Sequence, residues 1–270
     1  MIVIKIGGSI VDGLHESTMQ DLKQLIDDNK QVVIVHGGGK EVTRIAEQLG
    51  KEQKFIVSPG GIRSRYTDKE TAMIYTMVMS GKINKEIVLM LMKNGINAVG
   101  LSGIDAGIIK AMRKKKLIII DERGRKVAIE GGYTGKISDV NADILHTLLE
   151  KGYTPIISPV AISDEYDMLN VDGDRAAAYI SGALKADTVI FITNVDGLLM
   201  DDKLVKNLTY DEAKVILPKI GFGMEKKVLA CTEALSMGVK EAIIASGNRE
   251  NPISSALKHD NCTVITNGRR

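Results

Sequence analysis

The sequence has no tryptophan, only three phenylalanines among its 270 residues, and only two cysteines. Scarce aromatics argue against the stacking surfaces on which proteins bind single-stranded nucleic acids. Cys231 and Cys262 show no metal-ligand spacing and are too few for a disulfide framework, so a reduced, cytoplasmic setting is expected. Charge of one sign is also lacking, because 36 basic and 34 acidic residues leave a formal net charge of +2. That balance gives no overall attraction for nucleic acid.

Long hydrophobic runs are absent too. No apolar stretch approaches the length of a membrane span, and the first residues follow a strand pattern rather than that of a signal peptide. We therefore expect a soluble protein with no membrane partner. A chain of 270 residues with 44% apolar content is long enough for one large α/β unit or two modest lobes.

Glycines follow two apolar strand patterns near the start of the chain. Residues 2–6 are apolar except for Lys5 and run into Gly7 and Gly8, and residues 32–35 run into His36 and three glycines. A lysine in a buried strand needs a partner, and glycine lets backbone N–H groups approach a ligand closely. Either segment alone also fits a strand and a tight turn, with Lys5 turned outward. The repetition favours an anion site, most simply for phosphate.

Strand and helix patterns alternate through this first part of the chain, with helices predicted over Glu16 to Asn29 and Lys40 to Leu49. Alternation of this kind predicts a parallel sheet with right-handed crossovers. Ligands of open α/β sheets bind at the carboxyl ends of the strands, where both glycine-rich segments would lie.

Three later segments also carry candidate binding residues. Arg63 and Arg65 precede a helix that Thr67 or Asp68 can cap, which suits carboxylate recognition but also a solvated loop. Asn170, Asp172 and Asp174 stand before a helix, where capping would use only one of them. A glycine-rich stretch, residues 221–224, precedes a lysine-bearing helix and predicts a further phosphate-friendly helix N-terminus.

Two segments are candidates for contacts with other proteins. Residues 110–126 hold eight basic and two acidic residues, and residues 117–129 read as a β-hairpin. Such a hairpin is either solvated surface or a device that steers an acidic partner. The methionine-rich helix predicted over residues 68–93, with a kink at Ser80 and Gly81, suits a core or a dimer interface.

Two common nucleotide motifs do not fit. Residues 131–138 resemble a P-loop, but Glu130 stands where that motif needs glycine, and Ile137 follows Lys136 where serine or threonine is required. No dinucleotide fingerprint follows a strand either.

Eight motifs in order make the sequence resemble the amino acid kinase family, and within it the N-acetylglutamate kinase branch. The matching segments are Lys5–Ser9, His36–Gly39, Arg65 with Thr67–Thr71, Gly81–Val88, Gly132–Gly135 with Val140–Asn141, Asn170–Asp174, Thr193–Gly197, and Gly223–Met224 with Lys227–Val228. Residues 61–68 resemble the kinases that act on an amino-group carrier protein in lysine biosynthesis.

The resemblance implies a three-layer αβα sandwich with a mainly parallel central sheet. It also implies an acceptor-binding and dimerising lobe over residues 1–168 and an ATP-binding lobe over residues 169–270. The methionine-rich helix would be the dimer helix of a homodimer.

The resemblance further implies transfer of the ATP γ-phosphoryl group to a side-chain carboxylate. Lys5 and Lys227 would stabilise the transferring group, Asp174 would hold both lysines, and the Gly8 backbone would add a hydrogen bond. The remaining implied site residues fall into two groups. Gly37, Gly38, Arg65 and Asn170 would bind the substrate, and Gly7, Thr193, Asn194, Asp196, Gly197, Gly223 and Met224 would hold the nucleotide.

Mg²⁺ would bridge the phosphates without a dedicated set of protein ligands, and the acceptor carboxylate is already ionised, so no general base is needed. Asp172 departs from the family pattern of a small residue at this position, and it either points away from the phosphates or pairs with a lysine.

The implied acceptor is 2-aminoadipate, and sometimes glutamate, attached to an acidic amino-group carrier protein. A plain N-acetylglutamate kinase is the alternative, and a regulatory protein without turnover is a third hypothesis. The complete set of Lys5, Asp174 and Lys227 argues against the third.

Overall fold

The computed structural model describes residues 1–8, 16–61, 63–221 and 223–268. Ser9, Ile62 and Phe222, which belong to motifs quoted above, lie outside the described residues. The helices, in chain order, are α1 (Glu16–Asp27), α2 (Gly39–Gln48), α3 (Lys69–Thr76), α4 (Asn84–Lys93), α5 (Asp143–Glu150), α6 (Gly173–Ala183), α7 (Tyr210–Ile216), α8 (Met224–Ser236) and α9 (Pro252–Leu257).

An eight-stranded central sheet runs through the molecule, and all pairs of neighbouring strands are parallel except the pair formed by residues 241–246 and 263–266. In spatial order its strands are β16 (Asn207–Thr209), β18 (Thr263–Thr266), β17 (Glu241–Ser246), β13 (Thr188–Thr193), β1 (Ile2–Ile6), β2 (Val32–His36), β10 (Thr154–Ser158) and β5 (Ala98–Ser102). The predicted fold class, a three-layer αβα sandwich with a mainly parallel sheet, is therefore confirmed.

Smaller β-structures surround this sheet. A four-stranded sheet consists of β12 (Met168–Asn170), β11 (Val160–Ile162), β6 (Ile109–Arg113) and β9 (Gly135–Val140). Three hairpins pair β3 (Phe55–Val57) with β4 (Arg63–Arg65), β7 (Lys116–Ile120) with β8 (Lys126–Glu130), and β14 (Leu199–Met200) with β15 (Lys203–Leu204). The predicted basic hairpin is thus present, and it lies between β6 and β9 in the chain.

Two apolar clusters fill the space on the two faces of the central sheet. Along β1, Ile2, Ile4 and Ile6 belong to one cluster and Val3 to the other, as the alternation of side chains along a strand requires. Lys5 falls on the same face as Val3, where α6 packs on β1. The fold therefore directs one lysine into the layer between sheet and helix.

The long helix expected over residues 68–93 runs from Lys69 to Lys93, but with a π-helical stretch, Met77–Ile83, in its middle. The expected kink at Ser80 and Gly81 is replaced by this wider turn. Asp68, one of the two capping candidates, accepts a hydrogen bond from the Thr71 backbone and caps the helix. π-Helical turns are rare and often mark functional regions.

The central sheet takes four strands from residues 1–168 and four from residues 169–270, with β1 and β13 joining the two sets. The division into two lobes stays a prediction. In the described part of the chain, no helix is both long enough and apolar enough to cross a membrane. Cys231 and Cys262 are buried free thiols.

Candidate functional site

A buried charge cluster lies beside the central sheet, where Asp174 stands between Lys5 and Lys227. Lys5 Nζ is 2.6 Å from Asp174 Oδ1, and Lys227 Nζ is 3.1 Å from Asp174 Oδ2. Lys5 and Asp174 are only 7% and 6% exposed. The structure therefore brings together the three residues that were expected to act on the phosphoryl group.

Three elements supply this cluster, and local sequence explains each placement. Lys5 comes from β1, while Asp174 and Lys227 stand in the first turns of α6 and α8. A carboxylate suits a helix N-terminus, but a lysine there meets the positive end of the helix dipole. The ion pair with Asp174 offsets that cost for Lys227 and ties α8 to α6.

The two lysines set the ionisation of the carboxylate. Burial by itself would raise the pKa of Asp174, but Lys5 and Lys227 outweigh it and lower that pKa to about 2. The cluster therefore carries one net positive charge at neutral pH, which suits a site for a ligand with several negative charges.

The two glycine-rich segments meet at the carboxyl ends of β1 and β2. A Cβ atom on Gly8 would lie 2.6 Å from the Gly38 nitrogen, and one on Gly37 would lie 2.8 Å from the Gly8 nitrogen. Only glycine permits this approach of backbone to backbone. Gly7, which donates to the Ile192 carbonyl, connects the first segment to β13. This arrangement places peptide groups without side chains beside the charge cluster, as the sequence predicted.

A cavity of about 500 Å³ adjoins these residues and has the size of a small-molecule site. The polar residues that line it include Lys5, Gly37, Gly38, Arg65, Lys114, Asn170, Asp174 and Lys226. All four predicted substrate-binding residues are among them. Apolar side chains from two hairpins, including Ile56, Leu117 and Ile119, complete the lining.

Arg65 is held rigidly in this cavity. Its guanidinium donates to the Gly39 carbonyl at 2.7 Å, to Thr43 Oγ1 at 2.9 Å and to the Gln53 side chain, and it lies 5.1 Å from the centre of the Phe55 ring. Among the described residues these bonds use three of its five N–H donors. Nε–H and one N–H of Nη1 have no partner among these residues.

Asn170 ends β12 and lies against the same cavity. Its Nδ2 donates to Thr67 Oγ1 at 2.9 Å, and its backbone N–H donates to the Tyr133 carbonyl. Thr67 is fully buried. The hydrogen bond to the buried Thr67 hydroxyl therefore fixes the orientation of the Asn170 side chain, which suits a residue that orients a polar substrate.

Asp172, whose role the sequence left open, caps α6 by accepting hydrogen bonds from the backbone of Asp174 and Arg175. Its other carboxylate oxygen lies 3.8 Å from Lys226 Nζ. The negative charge of Asp172 thus lies against a helix N-terminus and near a lysine. Of the two alternatives given by the sequence, Asp172 follows the pairing with a lysine.

The residues expected to hold a nucleotide lie outside this cavity, around β13 and α8. Thr193 ends β13, which pairs with β1, and Thr193 Oγ1 donates to Asn194 Oδ1. Asp196 follows in the same turn. Gly197 packs closely on Thr263, since a Cβ there would lie 2.4 Å from Thr263 Oγ1. These residues therefore follow the carboxyl end of β13, beside the carboxyl end of β1, where Ile6 pairs with Ile192.

Gly223 and Met224 complete the expected nucleotide group at the start of α8. Gly223 has a φ of 90°, which favours glycine, and Met224 is the first residue of the helix that carries Lys227.

Some residues around the site were not foreseen from the sequence. Lys226, one residue before Lys227, donates to the Arg63 carbonyl at 3.1 Å and so connects α8 to the β3–β4 hairpin. Arg175 forms a two-pronged ion pair with Glu233, with Nε–Oε2 and Nη2–Oε1 distances of 2.9 and 2.5 Å, that joins α6 and α8. No sequence signal identifies these partners, because they are 163 and 58 residues apart.

The chain is similar to known proteins of one family. A family model described as "Amino acid kinase family" matches residues 1–246. A protein of Saccharolobus islandicus named LysW-aminoadipate/LysW-glutamate kinase is 45% identical over 269 residues, which are 99% of this chain and 100% of that protein. A protein of Nitrosopumilus maritimus that carries the same name provisionally is 68% identical over 265 residues, 98% of this chain and 99% of that one.

A solved structure supports the fold. The smu.665 protein of Streptococcus mutans superposes with a TM-score of 0.78 at 24% identity, covering 99% of this chain and 98% of that one. At this level of identity the likeness concerns the fold alone.

Proposed function

Because the chain belongs to the amino acid kinase family, we propose that it phosphorylates the side-chain carboxylate of 2-aminoadipate or glutamate attached to LysW, the carrier in its relatives' names. The product is an acyl phosphate, formed for lysine biosynthesis from aminoadipate and for arginine biosynthesis from glutamate. The observation that carries the proposal is Asp174 held between Lys5 and Lys227 beside a cavity with a fixed arginine.

ATP and Mg²⁺ fit the residues present. The buried Lys5, the partly buried Lys227 and a pair of glycine segments too close for side chains form a cradle for phosphate groups. Within the described ranges no group of three or more His, Cys, Asp or Glu side chains could hold a metal ion. Mg²⁺ would be bound by phosphate oxygens and water. When bound, ATP supplies the phosphoryl group and Mg²⁺ neutralises part of its charge.

The residues of the chain then align the reactants and stabilise charge. Arg65 and Asn170 bind the α-carboxylate and amide of the acceptor, which points the side-chain carboxylate towards Lys5. Lys5 and Lys227 stabilise the negative charge of the transferring group from two sides, and Asp174 keeps both ammonium groups in place. Backbone N–H groups of Gly8 and Gly38 add hydrogen bonds. Thr193, Asn194, Asp196, Gly197, Gly223 and Met224 hold the nucleotide.

The side chains of the hairpin β7–β8 support the proposal that the acceptor is attached to a carrier protein. Its apolar side chains Leu117 and Ile119 line the cavity, while Lys115 and Lys116 are exposed. An amino acid in the cavity would therefore leave the protein to which it is attached close to exposed positive charge. An acidic carrier fits this surface.

A homodimer fits the helix that runs from Lys69 to Lys93. Four of its large apolar side chains, Met73, Met77, Leu89 and Met92, are about half to two thirds exposed. Exposed apolar side chains along one long helical segment are typical of an interface, and a second copy of the chain is the partner we propose. For the compartment we propose the cytoplasm, since both cysteines are free thiols.

Steady-state kinetics with three acceptors tests the proposed function. LysW-aminoadipate, LysW-glutamate and N-acetylglutamate are each incubated with ATP, and the acyl phosphate is trapped with hydroxylamine. The proposal expects kcat/KM for a LysW-bound acceptor to exceed that for N-acetylglutamate at least 100-fold. Comparable or greater efficiency with N-acetylglutamate would assign the protein to the acetylated route instead.

A further inference from the structure

His36 lies fully buried at the end of β2, directly before the glycine segment. Its Nδ1 is 3.0 Å from the Gly37 carbonyl oxygen, and its Nε2 is 3.3 Å from Asn84 Nδ2. No step of the proposed reaction uses this side chain. Its two contacts nevertheless connect the phosphate cradle to the long helix.

Asn84 is also fully buried and begins α4 where the π-helical stretch ends. Its Nδ2 lies 2.9 Å from the Ile156 carbonyl and 3.2 Å from that of Leu101. Its Oδ1 accepts a hydrogen bond from Lys85 Nζ at 3.1 Å. These contacts fix which end of the amide is the donor, so the amide nitrogen, which cannot accept a hydrogen bond, faces His36 and shares its two N–H groups among three acceptors.

Gly100 shows that the fold makes room for this asparagine. A Cβ atom at Gly100, inside strand β5, would lie 2.0 Å from Asn84 Oδ1 and 2.7 Å from Lys85 Nζ. Glycine weakens a strand interior. Its presence here is explained by the close approach of Asn84.

The contacts determine the tautomer of His36. Because Asn84 presents a donor, Nε2 must offer its lone pair, and the ring proton of the neutral imidazole then resides on Nδ1. The Nδ1–H group donates to the Gly37 carbonyl. In a planar trans peptide the carbonyl and the next N–H point in opposite directions. Fixing the Gly37 carbonyl therefore turns the Gly38 N–H away from His36.

We propose that His36 and Asn84 are positioning residues that aim the Gly38 N–H at the transferring phosphoryl group. The inference rests on the proposed function, because it gives that N–H its ligand. Ile83 reinforces the arrangement, since a Cβ atom on Gly38 would lie 2.1 Å from Ile83 Cδ1. The π-helical stretch thus places Ile83 against Gly38. The next residue, Asn84, contacts His36, whose ring orients the peptide between Gly37 and Gly38.

Two substitutions of His36 separate positioning from mere packing. The amide nitrogen of asparagine falls near the place of Nδ1, and the amide oxygen of glutamine can lie near the place of Nε2, where it accepts from Asn84. His36→Asn keeps a donor for the Gly37 carbonyl, whereas His36→Gln keeps only the contact with Asn84. We expect His36→Gln to lower kcat about 10-fold or more with little change in KM for ATP, and His36→Asn to lose much less. His146→Gln, at an exposed position on α5, is the control.

Two readouts decide the matter. Thermal unfolding shows how far each variant is destabilised, and ¹⁵N NMR of the wild-type imidazoles, of which there are four, should show His36 protonated at Nδ1. Equal losses of kcat that follow the losses of Tm, or a proton on Nε2, would overturn the inference. Failure of the proposed function is distinct, because wild type itself would then form no acyl phosphate.

Discussion

At the scale of single residues, the site depends on two positive charges that share one carboxylate. Asp174 is nearly closed to water, and each of its oxygens faces one lysine. A preorganised charge of this kind needs no reorganisation when negative charge develops on the transferring group. Lys5 and Lys227 are therefore expected to act on rate more than on binding.

Replacement of either lysine by alanine should lower kcat about 10²-fold or more, the usual cost of removing one charge-stabilising donor. The fold should persist, because Asp174 keeps the other lysine as a partner. Hydroxamate formation gives kcat, and thermal unfolding checks the fold. Lys30→Ala, an exposed change next to the amino end of β2, is the control. Near-normal turnover in Lys5→Ala or Lys227→Ala would contradict the role of that lysine in stabilising the transferring group.

His36 makes a prediction about pH and stability. Burial, helped by the charges of Lys5 and Lys85 and opposed by the hydrogen bond to Gly37, lowers the pKa of His36 from 6.5 to about 4. Between these values the unfolded chain binds a proton that the folded protein does not bind. Stability therefore rises with pH in this window and falls as pH decreases through it.

Urea unfolding at pH 7 and pH 4.5 measures this effect. From the gap between 6.5 and about 4, His36 alone should cost wild type roughly 2.5 kcal/mol over that interval. His36→Asn, which cannot titrate, should lose correspondingly less stability. The same loss in both proteins would show that His36 is not buried in its neutral form.

At the scale of elements, the hairpin β7–β8 both lines the cavity and presents positive charge to solvent. One set of its side chains borders the cavity, and Lys115 and Lys116 face solvent. Lys114 lines the cavity, and its pKa is lowered, chiefly by burial and then by the charge of Arg175, against an opposing effect of Asp172. Carrier recognition should therefore be tested at residues 115 and 116 alone.

Reversal of both charges, Lys115→Glu with Lys116→Glu, should raise KM for a LysW-bound acceptor about 10-fold and leave kcat nearly unchanged. The effect should shrink at high salt, because exposed charges are screened. The matched control is Lys30→Glu with Lys185→Glu, two exposed positions at the amino ends of β2 and β13. An equal increase in KM for N-acetylglutamate would remove the hairpin from carrier recognition.

The sequence predicted the sheet class and the glycine segments because those depend on local patterns: apolar alternation, and glycines directly after strands. The meeting of Lys5, Asp174 and Lys227 was predicted only through the family resemblance, since these residues are far apart in the chain. Asn84 under His36, the π-helical turn and the support of Arg65 by Gln53 were not predicted. They depend on which elements pack together, and no local pattern expresses that.

At the scale of the whole molecule, the exposed apolar side chains of the long helix predict self-association. Met77→Glu with Leu89→Glu places two charges at positions that are 55% and 67% exposed. If this helix forms the dimer interface, the double variant should be a monomer by sedimentation equilibrium while wild type is a dimer. Val215→Glu, on α7 and 70% exposed, should leave the dimer intact. A monomeric wild type, or a dimeric double variant, would contradict the proposed interface.

The most direct test of the proposed reaction locates the phosphoryl group on LysW-aminoadipate. That acceptor carries both an α-carboxylate and a side-chain carboxylate, and only the second should face Lys5 when Arg65 binds the first. Fragment mass spectrometry after incubation with ATP and hydroxylamine should find the hydroxamate on the side-chain carboxyl group, and about 10²-fold less of it or lower with Lys5→Ala over the same time. A hydroxamate on the α-carboxyl group, or none on the carrier with wild type, would contradict the proposed site and its reaction.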